Sequence, residues 1–407
     1  MTSRKIQKVL SKREIIEEVK LTESCEEYRL TMRAEMENFP AKHIWSTDQT
    51  GVQYEMMSGR TLSFRSERMT FGFGFSPKNS ATHSYTIQPI ISLAGQIVGD
   101  FYVCLQETKG RLGPAVESTV FTAPNLTITC SASGKLTKSH VEYFLDKVMK
   151  PQVTAPFLLT FDHWSGQIDP SLYSSRFGTG NVPACKTVIV PEKCTSFVQA
   201  LDTGFNRQLK YFIRQVYDFS ALHGSEDMEC RLTDRNSVLK IVSLAHFTLS
   251  APCFKGMIRQ CWVTARILPD VENTDKYVTV KDQCFLFKAT SCAKEACQQK
   301  PFIRCSWCDG HLCFEHFYHD YHVMECIESP WLQPETYEKF RNAVIPDPEQ
   351  EDLEVALHSP TQEDESSAST SAQEVSTVAT PGSSRGSGTP VTVGPSKKSG
   401  SSRPRKE

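Results

Sequence analysis

The sequence predicts a mixed α/β fold, and three observations carry that prediction. Short apolar runs, APFLLTFD at 155–162 and KTVIVP at 186–191, have the length and composition of buried strands. Before them, SHVEYFLDKVMK at 139–150 sets Val141, Phe144, Leu145 and Val148 on one helical face, and Pro151 stops it. Earlier still, SYTIQPIISLAGQIVGDFYVCLQE at 84–107 reads as two β-rich runs folded about Ala94-Gly95. Strands and helices in this order build layers of helices on a sheet.

The remaining elements follow along the chain. Residues 5–37 read as helical, with Ile6, Val9, Leu10, Ile15, Ile16 and Val19 at three- and four-residue spacing, and Pro40 closes the region. A strand is expected at 43–48, ending in Asp48, and a polar Gly/Ser-rich loop follows. A helix starts at Asp202, where a carboxylate suits the helix dipole, and runs to about Phe219. Two more helices are expected in DRNSVLKIVSLAHFTLS and CFKGMIRQCWVTARI. After Pro346 the chain turns acidic, then rich in Ser, Thr, Gly and Pro, then basic at PSKKSGSSRPRKE, so 346–407 is expected to be a disordered tail.

Composition narrows the function classes. Hydrophobic content of 39% and charged content of 23% over 407 residues are globular values. A net charge of −2 points to no partner by itself, although a local basic stripe would still serve nucleic acid. The start, MTSRKIQKVLSKREIIEEVK, is charged and lacks the apolar core of a secretory signal. No apolar run has the length of a membrane span. Of the 15 cysteines, those between 284 and 326 crowd together, which fits a reduced compartment and a metal-binding module better than disulfides. Gly134-Lys135 lacks the upstream glycine of a phosphate-binding loop, so no small-molecule substrate is expected there.

Asp48 and Asp162 each end a strand, and Asp202 begins a helix after a third strand. Three carboxylates meeting at one sheet edge would hold a pair of Mg²⁺ ions, which activate water and stabilise a leaving oxygen. A single aspartate at a strand end or helix start more often serves as a cap, and periodicity alone does not join the three. Arg207, Lys210 and Arg214 stand at helical spacing behind Asp202, where they either face phosphates or line a solvated helix face.

The blocks around the aspartates do join them. WSTDQTGVQYEMMSGRTLS, HSYTIQPIISLAGQIVGDFYVCLQE, LLTFDHWSGQ and VIVPEKCTSFVQALDTGFNRQLK stand in the order found in DDE-superfamily transposases of the pogo/Tigger and mariner kind. The chain resembles their endonuclease domain over about residues 24–265. That resemblance implies a ribonuclease-H-like mixed sheet with flanking helices and a metal triad of Asp48, Asp162 and Asp202. The triad would bind two Mg²⁺ or Mn²⁺ ions and cleave and join DNA phosphodiesters. It also implies DNA as partner and self-association, and the basic stretch PSKKSGSSRPRKE points to a nuclear location. The sequence departs from the family at Cys194-Thr195, at Ala200 in place of a proline before Leu201-Asp202, and at His163 after Asp162. Residues 1–40 are too few for paired helix-turn-helix domains, so they are expected to be a helical remnant of a DNA-binding region, followed by the endonuclease-like domain at 41–268. The alternative is a domesticated, non-catalytic nuclear protein that uses the fold to bind DNA or protein.

Residues 284–330 form the expected zinc module. Its pairs are Cys292-x4-Cys297, Cys305-x2-Cys308, Cys313-x2-His316 and His322-x3-Cys326. Eight ligands make two tetrahedral Zn²⁺ sites. Alternating pairs would cross-brace it, with Cys292, Cys297, Cys313 and His316 on one ion and Cys305, Cys308, His322 and Cys326 on the other. His311, His319 and Cys284 are spare candidates, and the alternative is a metal-free thiol cluster. The first pair is too wide, and the gap after it too short, for a RING ubiquitin ligase. The module is loosely similar to the cysteine-rich C-terminal modules of some transposases.

Overall fold

A computed structural model describes residues 12–54, 84–223, 232, 234–269 and 277–328. The loop after the first strands and the expected disordered tail lie outside the described residues, as do residues 1–11 of the expected helical lead-in.

Eight strands build the body: β1 Ile44–Thr47, β2 Thr50–Gln53, β3 Ser84–Gln88, β4 Ile90–Ser92, β5 Phe101–Gln106, β6 Leu126–Ser131, β7 Phe157–Phe161 and β8 Cys185–Ile189. They form two four-stranded sheets, ordered β4-β1-β7-β8 and β2-β3-β5-β6. The sheets are halves of one ribbon, because β1 and β2 pair antiparallel with β4 and β3 in one unshifted register, from Trp45↔Ser92 to Gln53↔Ser84. The ribbon breaks where Asp48 and Gln49 face Pro89 and Gln88. Pro89 has no N–H to give, so the ladder lapses there and frees the backbone at Asp48. β5 runs antiparallel to β3, while β6, β7 and β8 each add in parallel to β5, β1 and β7. A meander followed by parallel crossovers is the mixed sheet expected from the sequence. The 84–107 hairpin forms, with Gly95 at φ 85 and its N–H on Ser92 O at 3.0 Å, but Pro89 divides its first arm into two strands.

The helices are α1 Lys12–Met36, α2 Pro114–Glu117, α3 Lys138–Phe144, α4 Pro170–Ser174, α5 Thr195–Val198, α6 Asn206–His223, α7 Arg235–Leu249, α8 Lys255–Thr264 and α9 Val323–Glu328. α1 is part of the core. It buries Cys25, Tyr28 and Met32, and the Tyr28 hydroxyl meets Thr160 Oγ1 at 2.6 Å. Its arginines also cap α8: Arg29 Nε donates to Ala265 O at 3.1 Å, and Arg33 donates to Arg266 O at 2.6 Å and Ile267 O at 3.2 Å. Cationic donors on the last carbonyls of a helix satisfy groups that have no partner inside it. α7 opens on Asp234, whose carboxylate accepts from Ser237 N at 3.0 Å, and from Ile241 to Leu249 every residue is buried. One apolar core joins α1, α6, α7 and α8 to β2, β3, β5 and the Cys/His segment. A second, around Trp45, Phe157 and Phe161, lies under α3 and α4. Among the described residues no single helix is long and apolar enough to cross a membrane.

Candidate metal centres

β1 lies between β4 and β7, buried along its whole length. It pairs in parallel with β7 up to Ser46↔Thr160. Two residues further on each strand stand Asp48 and Asp162, so the parallel register delivers both to one sheet edge. In open α/β sheets, the carboxyl ends of the strands are where ligands bind. Asp202 arrives from the opposite side, inside a widened turn, Leu201–Phe205, that leads into α6. It therefore sits in the first turn, at the helix start expected from the sequence. Widened turns of this kind recur at functional sites.

Gln199 docks that turn onto β1. Its side chain is fully buried and its Nε2 donates to Thr47 O at 3.1 Å. Ala200, the departure from the family's proline, has φ −58 and ψ −36, the φ that a proline would impose, so the loop keeps its shape. Gly204 allows a close approach to α8: a Cβ there would lie 2.7 Å from Cys261 Sγ. Thr203 completes the joint by donating to Cys261 O at 2.9 Å.

Two of the three carboxylates are perturbed by their surroundings. Asp48 is only 8% exposed. Burial, then the charges of Asp202 and Asp162, push its carboxyl up to about 8, against the hydrogen bond from Asn206. Asp162 is raised by burial and by Asp202. Asn206 bridges two of the three, its Nδ2 donating to Asp48 Oδ2 at 2.8 Å and to Asp202 Oδ1 at 3.1 Å. Gln167 Nε2 donates to Asp162 Oδ1 and to its backbone O at 3.2 Å. Lys210 lies one turn beyond Asn206 on the same face of α6, with its amine lowered by burial and raised by Asp202 and Asp48. Arg214 stands next to it and acts on Lys210 and Asp218. Arg207 is exposed and acts instead on Cys261, so the three cations grouped by spacing divide between two faces. A cavity of about 400 Å³ between α1 and α5 opens beside Asp202. The donor chemistry is that of a hard divalent cation: acidic oxygens, buried at Asp48, half-buried at Asp162 and exposed at Asp202.

The sequence reading missed the amides Gln167, Gln199 and Asn206. Asn206 carried a signal, since it stands four residues after Asp202 on the same helical face.

The cysteines and histidines gather as the alternating pairing requires. Cys292, Cys297, Cys313 and His316 form one group and Cys305, Cys308, His322 and Cys326 the other, with the ligand atoms of each within 4.8 Å of one another. These are the only such groups of three or more among the described residues, and the aspartates are more widely spaced. In the first group His316 Nδ1 lies 3.1 Å from Cys313 Sγ and 3.3 Å from Cys292 Sγ. In the second, His322 Nε2 lies 3.4 Å from Cys308 Sγ. Each imidazole turns its other nitrogen to a carboxylate, His316 Nε2 to Asp320 at 3.9 Å and His322 Nδ1 to Glu325 at 3.5 Å, the way metal-bound histidines are oriented. For Cys292, burial pushes the thiol up, but the N–H groups of Lys294 and Cys313 and the His316 ring bring it down to about 7. Cys308 is held far below the usual thiol range by Cys305 and Cys326, which are raised in turn. Sulfurs that share protons in this way hold a metal once the protons leave. His311, His319 and Cys284 lie outside both groups.

Residues 262–324 match the family model of the Tc5 transposase C-terminal domain. Over that segment the chain is similar to Tc5 transposases. That match spans Cys292 to His322 and agrees with the mariner and pogo resemblance of the aspartate blocks. Solved structures with similarity to the chain include the Mos1 transposase paired-end complex with left transposon end, at 7% identity and a TM-score of 0.31 over 65% of this chain and 66% of that one. The Mos1 Strand Transfer Complex gives 6% identity and a TM-score of 0.32 over 65% of each chain, and the Mos1 mariner paired-end complex with Mn gives 6% and 0.32 over 66% of each. The chain thus spans just under two thirds of these Mos1 chains, and likeness at that level carries no argument about chemistry. No curated protein matches the chain.

Proposed function

We propose that this transposase-like chain binds DNA and carries a two-metal DDE-type endonuclease and strand-transferase site. Asp48, Asp162 and Asp202 would hold two Mg²⁺ or Mn²⁺ ions, which supply Lewis acidity for phosphodiester attack. Asn206 and Gln167 orient the carboxylates. Lys210 and Arg214 lie where a phosphate backbone would need cations. The observation that carries the reading is the β1–β7 register, which sets Asp48 beside Asp162, together with the Asn206 amide that ties Asp48 to Asp202. The two Cys/His groups would each hold one Zn²⁺, given tetrahedral donor sets with carboxylate-oriented histidines. Nuclear action follows from a DNA substrate and agrees with the basic end of the chain.

The test is Mn²⁺-dependent nicking of supercoiled DNA by the wild type and by Asp162→Asn. Nicking by the wild type alone is expected. Equal background in both would favour the second reading, a non-catalytic DNA- or protein-binding chain.

A further inference from the structure

α6 has two working faces. One carries Asn206, Lys210 and Arg214 behind Asp202, and the other buries Leu209, Phe212 and Val216. Phe219, further along, has its ring centroid 4.5 Å from Phe302 and 5.1 Å from Phe314. Phe212 lies 6.3 Å from Phe317. The three partner rings belong to the Cys/His module and adjoin its ligands: Phe302 lies three residues before Cys305, Phe314 follows Cys313 and Phe317 follows His316. The module is also bonded to α7. Trp307 Nε1 donates to Phe247 O at 2.6 Å and Ser306 Oγ to Thr248 O at 2.9 Å, both from between Cys305 and Cys308.

The module has little regular secondary structure of its own to fix those rings, which also pack on one another and on Phe285. The module's strands, β9 Ile303–Arg304 and β10 His311–Leu312, have two residues each, and α9 has six. Segments this short do not hold a shape without a core or a metal. Phe302 and Phe317 are nonetheless 7% and 1% exposed, packed in the same apolar core as α6. A docking appendage that moves independently would meet the body through a smaller, more polar surface.

We infer that the Cys/His module is a buttress for α6. Metal at the two tetrads fixes Phe302, Phe314 and Phe317, and these rings fix Phe212 and Phe219. The helix is thereby held where Asp202 and Asn206 meet Asp48. The module is a positioning element for the carboxylate site, and this rests on the zinc half of the proposed function but not on catalysis.

The test uses the full chain, zinc-loaded and then stripped by a chelator under reducing conditions. Amide hydrogen exchange is followed in peptides covering 206–219, and Mn²⁺ affinity is read by electron paramagnetic resonance. Stripping should speed exchange in 206–219, leave β7 unchanged and weaken Mn²⁺ binding by roughly tenfold, a typical coupling between sites. Added zinc should reverse both effects. Phe219→Leu, which replaces no ligand, should keep its zinc and show a smaller change in the same direction. Unchanged exchange in 206–219 after stripping overturns the inference. If stripping unfolds the whole chain, Phe219→Leu decides: normal zinc content with wild-type exchange in 206–219 overturns it, and faster exchange supports it. A chain that takes up no zinc overturns the buttress and the zinc reading together. A zinc-loaded chain that binds Mn²⁺ no better than Asp202→Asn refutes only the carboxylate site, and hydrogen exchange then decides the buttress.

Discussion

Replacing Asp48 with asparagine should stabilise the metal-free protein. The side chain keeps its shape and still accepts from Asn206 Nδ2, which reaches Asp48 Oδ2 at 2.8 Å. What it loses is a charge that burial, Asp202 and Asp162 all oppose. The sign follows from linkage. The folded carboxyl holds its proton to about pH 8, whereas the ordinary value is 3.8. Between those limits the unfolded chain releases a proton that the folded one keeps, so stability falls as pH rises from about 4 to 8. At pH 7 the cost has a ceiling of about 4 kcal/mol, from 1.36 kcal/mol per pH unit. Relief of half that ceiling, about 2 kcal/mol, would raise the melting temperature by roughly 4–8 °C for a domain of this size. Thermal melts of wild type and Asp48→Asn in EDTA between pH 5 and 8.5 read this directly. The gap should widen with pH, and Mg²⁺ should then stabilise the wild type alone. A variant that melts no higher than wild type at pH 8, with the same pH slope, would refute the packing of the three carboxylates into one repelling cluster.

Three further outcomes are expected. Asn206→Asp adds a fourth carboxylate between Asp48 and Asp202, so its melting temperature in EDTA at pH 8 should fall by several degrees and recover on adding Mg²⁺. Glu325→Gln removes the carboxylate facing His322 Nδ1 and the ion pair with Lys294 in the first tetrad's loop, so zinc release to a chromophoric chelator should become ~10–100-fold easier. Gly134→Ala would put a Cβ onto Ser84 O at a residue with φ +69, and equilibrium unfolding should show a loss of about 2 kcal/mol or more.

The parts of this fold that the sequence reveals are those set by local pattern. β7 is legible because Phe157–Phe161 is mostly apolar and bounded by Pro156 and Asp162, and α7 because Asp234 caps a run that is buried almost throughout. The two Cys/His groups were legible for a similar reason: short-spaced cysteine pairs admit few tetrahedral groupings, and the structure gathers the side chains in the two groups the spacing suggested. Pro89 was in plain view, yet its effect depends on which residue it faces. Opposite Asp48 it ends a ladder, and nothing local to Pro89 names that partner. The amides were hidden for the same reason. Gln199 reaches Thr47 across 152 positions and Asn206 reaches Asp48 across 158, and such contacts exist only once the sheet has closed.

The aspartates show how local and long-range information combine. Each alone is what a strand end or helix start commonly carries. The parallel register of β1 and β7 puts two of them side by side, and a shift of a single residue would turn one away. The third depends on a helix whose far face is packed by rings from the Cys/His module, Phe219 against Phe302 and Phe314. The carboxylate site and the Cys/His site are therefore one mechanical system, with α6 as the member between them. Its stability should be lowest where the two demands meet, at the widened turn Leu201–Phe205, which carries an acid on one side and approaches Cys261 through Gly204 on the other.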